Sequence, residues 1–447
     1  MKAKFNLNSK ISFSGVVTLL MTFLILIGAT VLFFSMDIEY ANFRTERLGT
    51  TIGKVFLYVA TGILFYKIFF FIYIVYRYFK YKNIDSVSNA ELPTCTVIVP
   101  AYNEGKQVYD TLLSLANSDY PKEKLELIAI DDGSKDDTWF WLLEAKKYLG
   151  DSVLILQQPK NMGKRHALYR GFNIGKGEVF VTVDSDSIVD INTLRLLLSP
   201  FIVDENCGAV AGNIRVLNTH KAFIPQMLDV SFALSFEFVR AAQSSLNSVL
   251  CTPGALAAYR SEAVFACLDD WINQTFMGKP SDIGEDRAMT NMILKQGYNV
   301  LFQRHANAYT NVPESYKGLY KMFIRWGRSN VRETLAMGKY VFGNYRKQSR
   351  FGPRLLFLNQ AQTLLMSYPF TLFMLYFIIT HPILFLSATF FGILVFSSFP
   401  ALFYAKRYSW EKSFWAYTYS VLYTFALFWI TPYAIATASR RGWLTRG

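Results

Sequence analysis

The fold class that the sequence predicts is an α/β domain, with a mainly parallel sheet and helices on both of its faces, inserted between transmembrane helices. Two observations predict it. The chain of 447 residues concentrates its apolar residues at its two ends, and charged residues make up only 18% of it. Its middle alternates short runs rich in β-branched residues with helical stretches, which is the pattern of strands joined by crossover helices.

Two apolar runs near the N-terminus predict a transmembrane hairpin over residues 1–80. The first run, 13–34, carries no charge and is long enough to cross the hydrocarbon core, and the second, 57–76, is interrupted only by Lys67. Basic residues flank the pair on its outer sides, namely Lys2, Lys4, Lys10, Arg77, Lys80 and Lys82. Because cytoplasmic flanks carry the excess of Lys and Arg, both outer flanks are expected in the cytoplasm.

The C-terminal residues 354–447 predict a transmembrane or re-entrant region. Runs 355–380 and 382–404 are separated by a turn and are expected to form a spanning hairpin. Run 414–436 contains Pro432 and has basic residues on both sides (Lys406, Arg407, Lys412, Arg440, Arg441, Arg446). It is therefore expected to be re-entrant or interfacial, and the alternative is an odd number of spans with a basic tail outside.

The formal net charge of +13 indicates membrane lipids, and not nucleic acid, as the partner. Much of it lies beside the apolar runs, where anionic lipids of the cytoplasmic leaflet attract cations. We therefore expect a multi-pass protein of the cell membrane with a cytoplasmic catalytic domain. The four cysteines lie in the polar middle without a pair spaced for a metal, so reduced thiols are expected.

Polar residues follow the strands of the predicted cytoplasmic domain, residues 81–314. The runs "CTVIVPAY", "LELIAIDDGS" and "EVFVTVDSDS" each read as a buried strand. Ligands bind outside the carboxyl ends of such strands. The residues expected there are Asn103, Asp131, Asp132, Asp184 and Asp186.

Two carboxylate pairs among these residues predict a nucleotide and metal site. Asp184 and Asp186 have one residue between them, so both can turn toward a hard cation, and Asp131 and Asp132 can accept hydrogen bonds from a base or ribose. The alternative for Asp184 and Asp186 is a strand-end turn with solvated carboxylates, and the alternative for Asp131 and Asp132 is an Asp-rich turn.

Two further motifs carry charges suited to group transfer. In "NMGKRHA", Lys164, Arg165 and His166 would neutralise a diphosphate, and the alternative is a charged helix start. Glu285 and Asp286 precede a helical pattern, where a carboxylate serves as a cap or as the base that takes a proton from an acceptor hydroxyl. One carboxylate suffices for an inverting transfer when a metal assists the leaving group.

Residues 315–353 predict amphipathic interface helices. At 100° per residue, the cations Lys317, Lys321, Arg325, Arg328 and Arg332 share one arc, and Leu319, Met322, Phe323 and Trp326 lie opposite. We expect the cations to face headgroups or a phosphate-rich cleft, and the aromatic face to meet lipid or neighbouring helices.

In their order, the motifs resemble those of the processive family 2 membrane glycosyltransferases, which include bacterial hyaluronan and chitooligosaccharide synthases. The resemblance runs from "VIVPAYNEG" through "DDGS", "NMGKRHA", "VTVDSDS", "RAAQSSLNSVLC", "NQTFMGKPSDIGEDR", "TNVPESY" and "RWGRSNVRE" to the tail "GWLTRG". It covers most of the chain from Pro93 onward. It implies a GT-A catalytic domain joined to a membrane channel that passes the growing polymer out of the cell.

The resemblance also implies roles for particular residues. Those implied for the donor nucleotide are Tyr102, Asn103, Glu104, Asp131, Asp132, Lys164, Arg325, Trp326 and Arg328, with Asp184 and Asp186 holding Mg²⁺ or Mn²⁺. The general base would be Asp286, with Glu285 beside it. The acceptor pocket would be formed by Cys251, Pro253, Gly254 and Trp326, the last as the floor under the acceptor sugar.

Two departures from the family pattern leave the sugar open. Met322 replaces the Gln of the Gln-x-x-Arg-Trp motif, and Cys251-Thr252-Pro253-Gly254 exchanges the Gly and Pro of the usual Cys-x-Gly-Pro. The expected donor is UDP-GlcNAc, UDP-GlcA, both, or another UDP-hexose, and the expected acceptor is the growing polysaccharide. A hyaluronan-like product, another β-polymer such as chitin or a cellulose-like or capsule glucan, and a single sugar transferred to a lipid carrier all stay open.

Overall fold

A computed structural model describes residues 13–440, which form two compact units. The first unit comprises the N-terminal residues as far as Phe69, the segment Gln226–Leu234 and the segment Tyr368–Phe428. The second comprises Phe70–Pro225, Ser235–Ser367 and the residues from Trp429 onward. The predicted flanking cations Lys2, Lys4, Lys10, Arg441 and Arg446, and the tail "GWLTRG", lie outside the described residues. The division into segments 1–80, 81–314, 315–353 and 354–447 stays a prediction.

The two N-terminal apolar runs are confirmed as helices. The first three helices are α1 (Phe13–Ser35), α2 (Asp37–Leu48) and α3 (Thr51–Lys80). Helices α1 and α3 are long and apolar enough to cross a membrane. The short polar helix α2 lies between them and was not predicted, because its mixed charges interrupt any apolar run.

The polar middle of the chain contains every strand in residues 13–440. The strands are β1 (Cys95–Ala101), β2 (Leu125–Asp131), β3 (Val153–Gln157), β4 (Val179–Thr182), β5 (Ser187–Val189), β6 (Cys207–Val216), β7 (Ala257–Arg260), β8 (Thr275–Phe276), β9 (Lys279–Pro280) and β10 (Asn299–Thr310). Eight of them form one sheet in the order β3-β2-β1-β4-β7-β6-β10-β5, and β8 pairs with β9.

The large sheet is mixed, with a parallel half that matches the expectation. Strands β3, β2, β1 and β4 pair in parallel, as do β6 and β10. Strand β7 runs antiparallel to both of its neighbours, and β5 runs antiparallel to β10. The three predicted strands are β1, β2 and β4, and β1 and β2 are buried almost throughout because neighbouring strands and helices cover them.

Helices of the same segment of chain connect the strands. They are α4 (Gln107–Ala116), α5 (Thr138–Leu149), α6 (Lys164–Ile174), α7 (Thr193–Leu198), α8 (Pro200–Val203), α9 (Phe223–Phe232), α10 (Val239–Ser244), α11 (Ser261–Phe265), α12 (Leu268–Ile272) and α13 (Glu285–Lys295). A π-helix, Ala233–Phe238, joins α9 to α10. Such short π-helical turns are frequent at functional sites.

The C-terminal helices include one long apolar helix and two broken pairs. They are α14 (Tyr316–Gly338), α15 (Phe351–Leu365), α16 (Ser367–Thr380), α17 (Pro382–Arg407), α18 (Trp415–Ala426) and α19 (Ile430–Ala436). Helix α17 could cross a membrane by itself, and α15 with α16, and the segment 411–426 with α19, each pass the same test as a pair. Within residues 13–440 this gives three candidate spans, or up to five.

The first unit has a small core of its own around α17. Val230 and Ala233 pack there with Ala401, Tyr404 and Ala416. The hydroxyl of Tyr404 donates to the buried Asp229 carboxylate at 2.6 Å. A carboxylate among apolar helices needs such a donor, because burying a polar group without a hydrogen bond costs about 2–7 kcal/mol of folding free energy.

Candidate active site

Loops that follow β1 and β2 are tied together at the carboxyl edge of the sheet. Asn103, in a left-handed conformation with φ 52°, accepts from the Lys135 amide at 2.9 Å, and its own amide donates to the Ser134 hydroxyl at 2.9 Å. The Glu104 amide donates to the Thr138 hydroxyl at 2.8 Å. The structure thus brings Tyr102, Asn103 and Glu104 beside the end of β2, as the sequence predicts.

Asp131 and Asp132 are buried and organise this edge of the sheet. Asp131 accepts from the Ser134 amide at 3.0 Å and from the Gln157 side chain at 2.9 Å. Asp132 accepts from the Gln158 side chain and from two backbone amides in the loop before α6, at 2.7–2.9 Å. Burial raises the pKa of Asp132, while those two amides lower it. Both side chains are buried, and their bonds to loop amides also agree with the alternative of an Asp-rich turn. Carboxylate oxygens accept more than one bond, so nucleotide binding stays a prediction.

Lys164 lies between two carboxylates at the first position of α6. Its ammonium pairs with Asp184 and, at 3.2 Å, with Glu285. Burial alone would lower the pKa of Lys164, but the two carboxylates raise it well above its ordinary value. This cation therefore stays charged and connects the end of β4 to the start of α13.

The two carboxylates after β4 lie at the edge of the sheet and are partly exposed. The Asp184 side chain is 33% exposed, and Asp186 accepts from the Thr310 hydroxyl at 3.1 Å. Among residues 13–440, no cluster of three or more His, Cys, Asp or Glu side chains could hold a metal ion. Mg²⁺ is commonly bound by one or two carboxylates together with substrate phosphates. Two partly exposed carboxylates therefore fit a divalent cation that is shared with a diphosphate.

Asp286 lies at the N-terminal turn of α13, against the predicted acceptor loop. Gly284, with φ 76°, precedes the helix, and a Cβ there would come within 2.0 Å of the Ser329 hydroxyl oxygen. The Asp286 carboxylate accepts from the Gly254 amide at 3.1 Å, and the Cys251 sulfur lies 3.9 Å from it. The base candidate and the acceptor loop predicted from sequence are therefore in contact.

Neighbouring Glu285 and Asp286 have opposite pKa shifts. Burial tends to raise the pKa of Glu285, but Lys164 and Arg325 outweigh it, so the pKa is lowered. For Asp286, burial and the charge of Glu285 raise the pKa, and Lys164 opposes them only in part. A base works best when its pKa approaches the working pH, so Asp286 is the stronger candidate.

The loop Cys251–Gly254 approaches Lys164 closely. A Cβ at Gly254 would stand 2.5 Å from the Lys164 ammonium and 3.6 Å from an Asp184 oxygen. Pro253 is buried, and Thr252 is bonded to Thr290 and Tyr259 inside the domain. Small side chains here therefore serve both tight packing and close approach to the charged groups.

Helix α14 presents Trp326 on its exposed side. The indole is 37% exposed and meets Phe236 and Phe323 edge to face, with ring centroids 6.3 and 5.6 Å apart. Arg325 precedes it, and its charge helps to lower the pKa of Glu285. Arg325 and Trp326 thus belong to the same neighbourhood as α13.

Three expectations for basic residues are wrong. Arg328 is 2% exposed, and its guanidinium donates to the Thr437 hydroxyl at 3.1 Å, so it is directed toward α19 and not toward a nucleotide. Arg332 is also buried and donates to the Ile283 carbonyl at 2.7 Å. Arg165 donates to the Trp271 carbonyl and to Gln274, away from a diphosphate. The expected arc of cations on α14 is therefore half covered by protein, because α13, α15 and α19 pack against this helix.

Met322 is buried as well. It is 5% exposed, whereas Trp326 one turn later is exposed. The sequence places Met322 and Trp326 on one face of the helix, but only Trp326 reaches the surface, because the Met322 side chain packs inside the protein.

Sequence reasoning gave no role to the π-helix and the helix after it. Arg240 is 8% exposed, and its guanidinium stacks on the Phe236 ring at 4.0 Å. Burial lowers the pKa of Arg240 to about 10, although Cys251 and Asp286 act against it. The sequence signal that could have identified this residue is the stretch "FEFVRAAQ", in which Arg240 is the only cation and Glu237 the only other charge.

Comparisons with known proteins agree with this geometry. A family model described as "Glycosyltransferase like family 2" matches residues 93–329. An N-acetylglucosaminyltransferase of Mesorhizobium japonicum is 36% identical over 256 residues, and a hyaluronan synthase of Streptococcus pyogenes is 33% identical over 254 residues. These matches cover 56% and 55% of this chain, and 59% of each relative, so the chain matches less than two thirds of their length.

A solved structure has the same fold. It is a mannosyltransferase from Pyrobaculum calidifontis in complex with GDP-Man and Mn²⁺, with a TM-score of 0.54, 20% identity, and coverage of 87% of this chain and 96% of that chain. At this identity the likeness shows the fold alone, which is GT-A as the resemblance implied. Since the family model spans more than half of the 447 residues, the chain belongs to glycosyltransferase like family 2.

Proposed function

We propose that the protein is a membrane-embedded, processive, inverting glycosyltransferase that polymerises UDP-activated sugars into a β-linked polysaccharide and moves the polymer across the membrane. The observation that carries the proposal is the pairing of Glu285 and Asp286. One carboxylate is held ionised by Lys164, and the other is half-buried with a raised pKa against the acceptor loop. The relatives named as an N-acetylglucosaminyltransferase and a hyaluronan synthase support the choice of donor.

In the proposed reaction, Asp286 is the general base. A hydroxyl of the acceptor sugar attacks the anomeric carbon of the donor, the bond from that carbon to the diphosphate oxygen breaks, and the electron pair leaves with UDP. The hydroxyl proton passes to the Asp286 carboxylate. One displacement inverts the anomeric centre, so an α-linked donor gives a β-linkage.

The donor side of the site comprises Lys164, Asp184, Asp186 and Glu285. Asp184 and Asp186 would hold Mg²⁺ or Mn²⁺, which when bound supplies positive charge to the leaving diphosphate. Lys164 and Arg325 add charges of the same sign, and Glu285 keeps Lys164 directed at this point. Tyr102, Asn103, Glu104, Asp131 and Asp132 would hold the nucleotide at the loops after β1 and β2.

The acceptor side comprises Cys251, Pro253, Gly254, Asp286 and Trp326. An exposed indole presents a flat apolar face on which a sugar ring can stack. The partly exposed Trp326 suits that use, and it packs edge to face against Phe236 and Phe323. A platform of this kind would keep the end of the polymer in register between transfers.

Membrane insertion is the second half of the proposal. Helices α1, α3 and α17, with the two broken pairs, would cross or enter the cell membrane, and the α/β domain would lie in the cytoplasm. The cations flanking these helices would meet anionic lipids.

A donor panel tests the proposal. Purified protein in vesicles receives Mn²⁺ and UDP-GlcNAc, UDP-GlcA, UDP-glucose or pairs of them, and UDP release and product size are followed. We expect release with formation of a long polymer. Release that requires UDP-GlcNAc and UDP-GlcA together indicates a hyaluronan-like product, and release with one donor indicates a homopolymer.

Two outcomes would contradict the proposal in different parts. A product limited to one sugar on a lipid carrier would exclude processivity and retain the transferase. Polymer formation that survives Asp286→Asn would exclude Asp286 as the base.

A further inference from the structure

Glu333 is a buried carboxylate in α14, seven residues after Trp326, and it is 5% exposed. One of its oxygens accepts from the Gln274 side chain at 2.8 Å, and the other accepts from the Asn291 side chain at 2.9 Å. We propose that Glu333 is a positioning residue of the transferase, an inference that rests on the proposed function. It fixes the starts of α6 and α13 relative to α14, and so sets the distance between the donor side and the acceptor side.

The first link runs to the helix that carries the base. Asn291 lies five residues after Asp286 in α13, and its amide also donates to the Glu333 main-chain carbonyl at 3.1 Å. The Asn291 oxygen accepts from the Tyr340 hydroxyl at 2.6 Å. Both ends of this amide are therefore occupied, and α13 can neither rotate nor slide against α14 without breaking hydrogen bonds.

The second link runs to the helix that carries Lys164. Gln274 accepts from both terminal nitrogens of Arg165, at 3.1 and 3.2 Å, while it donates to Glu333. Arg165 also donates to the Trp271 carbonyl at 2.7 Å, and the Trp271 indole donates to the Glu285 carbonyl at 2.9 Å. Lys164 is the next residue before Arg165, so Glu333 controls its position through two hydrogen bonds in series.

Charge gives Glu333 a role that a neutral residue cannot fill. Arg165 and Arg332 are 3% and 5% exposed, and burial lowers the pKa of both, that of Arg332 to about 10. The charge of Glu333 acts against that lowering in both cases. A glutamine at 333 would leave two buried cations less compensated, and its amide would face the amide of Gln274 or of Asn291, which also donates.

Glu333→Gln and Glu333→Asp test the inference. We expect Glu333→Gln to lower kcat for UDP release about 10- to 100-fold, because small displacements of reacting groups have effects of this size. The KM for the UDP-sugar should change by less than about threefold, because the nucleotide loops after β1 and β2 are not altered. Glu333→Asp keeps the charge and two acceptor oxygens and should recover part of the lost kcat.

Glu126→Gln is the matched control. The Glu126 carboxylate accepts from the Thr96 hydroxyl at 2.5 Å and from the Lys176 amide at 2.9 Å, but it lies at the opposite end of β2. The Glu126→Gln variant should therefore have a kcat within about twofold of that of the wild type. If Glu333→Gln matches the wild type, or if Glu333→Asp recovers nothing, Glu333 is not a positioning residue.

Amide hydrogen exchange tests the positioning role of Glu333 without a measurement of enzyme activity. Glu333→Gln should increase exchange in the N-terminal halves of α6 and α13, and Glu126→Gln should not. Unchanged exchange in those helices would overturn the inference. A wild-type protein that releases no UDP from any donor would contradict the proposed function, and the exchange data would still decide the role of Glu333.

Discussion

On the donor side of the site, Lys164 is surrounded by ionised carboxylates, whereas on the acceptor side Asp286 is surrounded by a thiol, a backbone amide and small side chains. The boundary between the two sides lies between the neighbouring residues Glu285 and Asp286. Burial raises the pKa of both carboxylates, but Lys164 and Arg325 outweigh it at Glu285, whereas the charge of Glu285 adds to it at Asp286. In the proposed reaction these two neighbouring acids have separate tasks, one holding a cation and one accepting a proton.

The largest effect expected is from Asp286→Asn. Loss of a general base lowers turnover about 100- to 10,000-fold, while binding of UDP should remain near that of the wild type. Turnover is measured as UDP release, and binding by calorimetry. Glu285→Gln is the matched change on the donor side, and it should weaken UDP binding more than Asp286→Asn does. Equal losses of turnover and of UDP binding in the two variants would contradict separate roles for Glu285 and Asp286.

Trp326→Ala should abolish elongation by removing the exposed ring on the acceptor side. Loss of a stacking contact of about 1.4 kcal/mol or more corresponds to at least about tenfold weaker acceptor binding. Product size is measured by gel filtration, and Trp326→Phe serves as the control that keeps a ring. Full-length polymer from Trp326→Ala would show that α14 is an interface helix and that Trp326 does not bind the acceptor.

The pH profile tests the electrostatic part of the comparison. Asp286 must be ionised to accept a proton, so its raised pKa places the acid limb of kcat above the pH at which an ordinary Asp titrates. Glu285 raises this pKa and Lys164 lowers it. Glu285→Gln should therefore move the limb to lower pH, and Lys164→Gln should move it to higher pH. Shifts in the same direction would be inconsistent with this assignment.

Met322→Gln has the smallest expected effect on catalysis and a measurable one on stability. Because Met322 is buried, an unpaired amide in its place costs about 1–3 kcal/mol of stability. Thermal unfolding of Met322→Gln is compared with that of Met322→Leu, which keeps the volume. Equal melting temperatures would show that the buried amide finds a partner.

Local sequence pattern determined much of the site. Strand runs ending in Asp131 and Asp184 predicted the edge of the sheet, because parallel strands present their carboxyl ends together. The start of α13 and the apolar helices were also predicted, since charge, length and periodicity are local properties. The family resemblance, and not spacing alone, selected Asp286 as the base.

Only the tertiary structure decided which charges reach the site. A helical wheel puts Arg325, Arg328 and Arg332 in one arc, yet packing by neighbouring helices covers the last two. The links of Glu333 to Gln274 and Asn291 join residues far apart in the chain. The local sequence determines the type of each side chain and its place on a helix or strand. The charge state and accessibility of that side chain depend on its burial and its charged neighbours, which only the tertiary structure supplies.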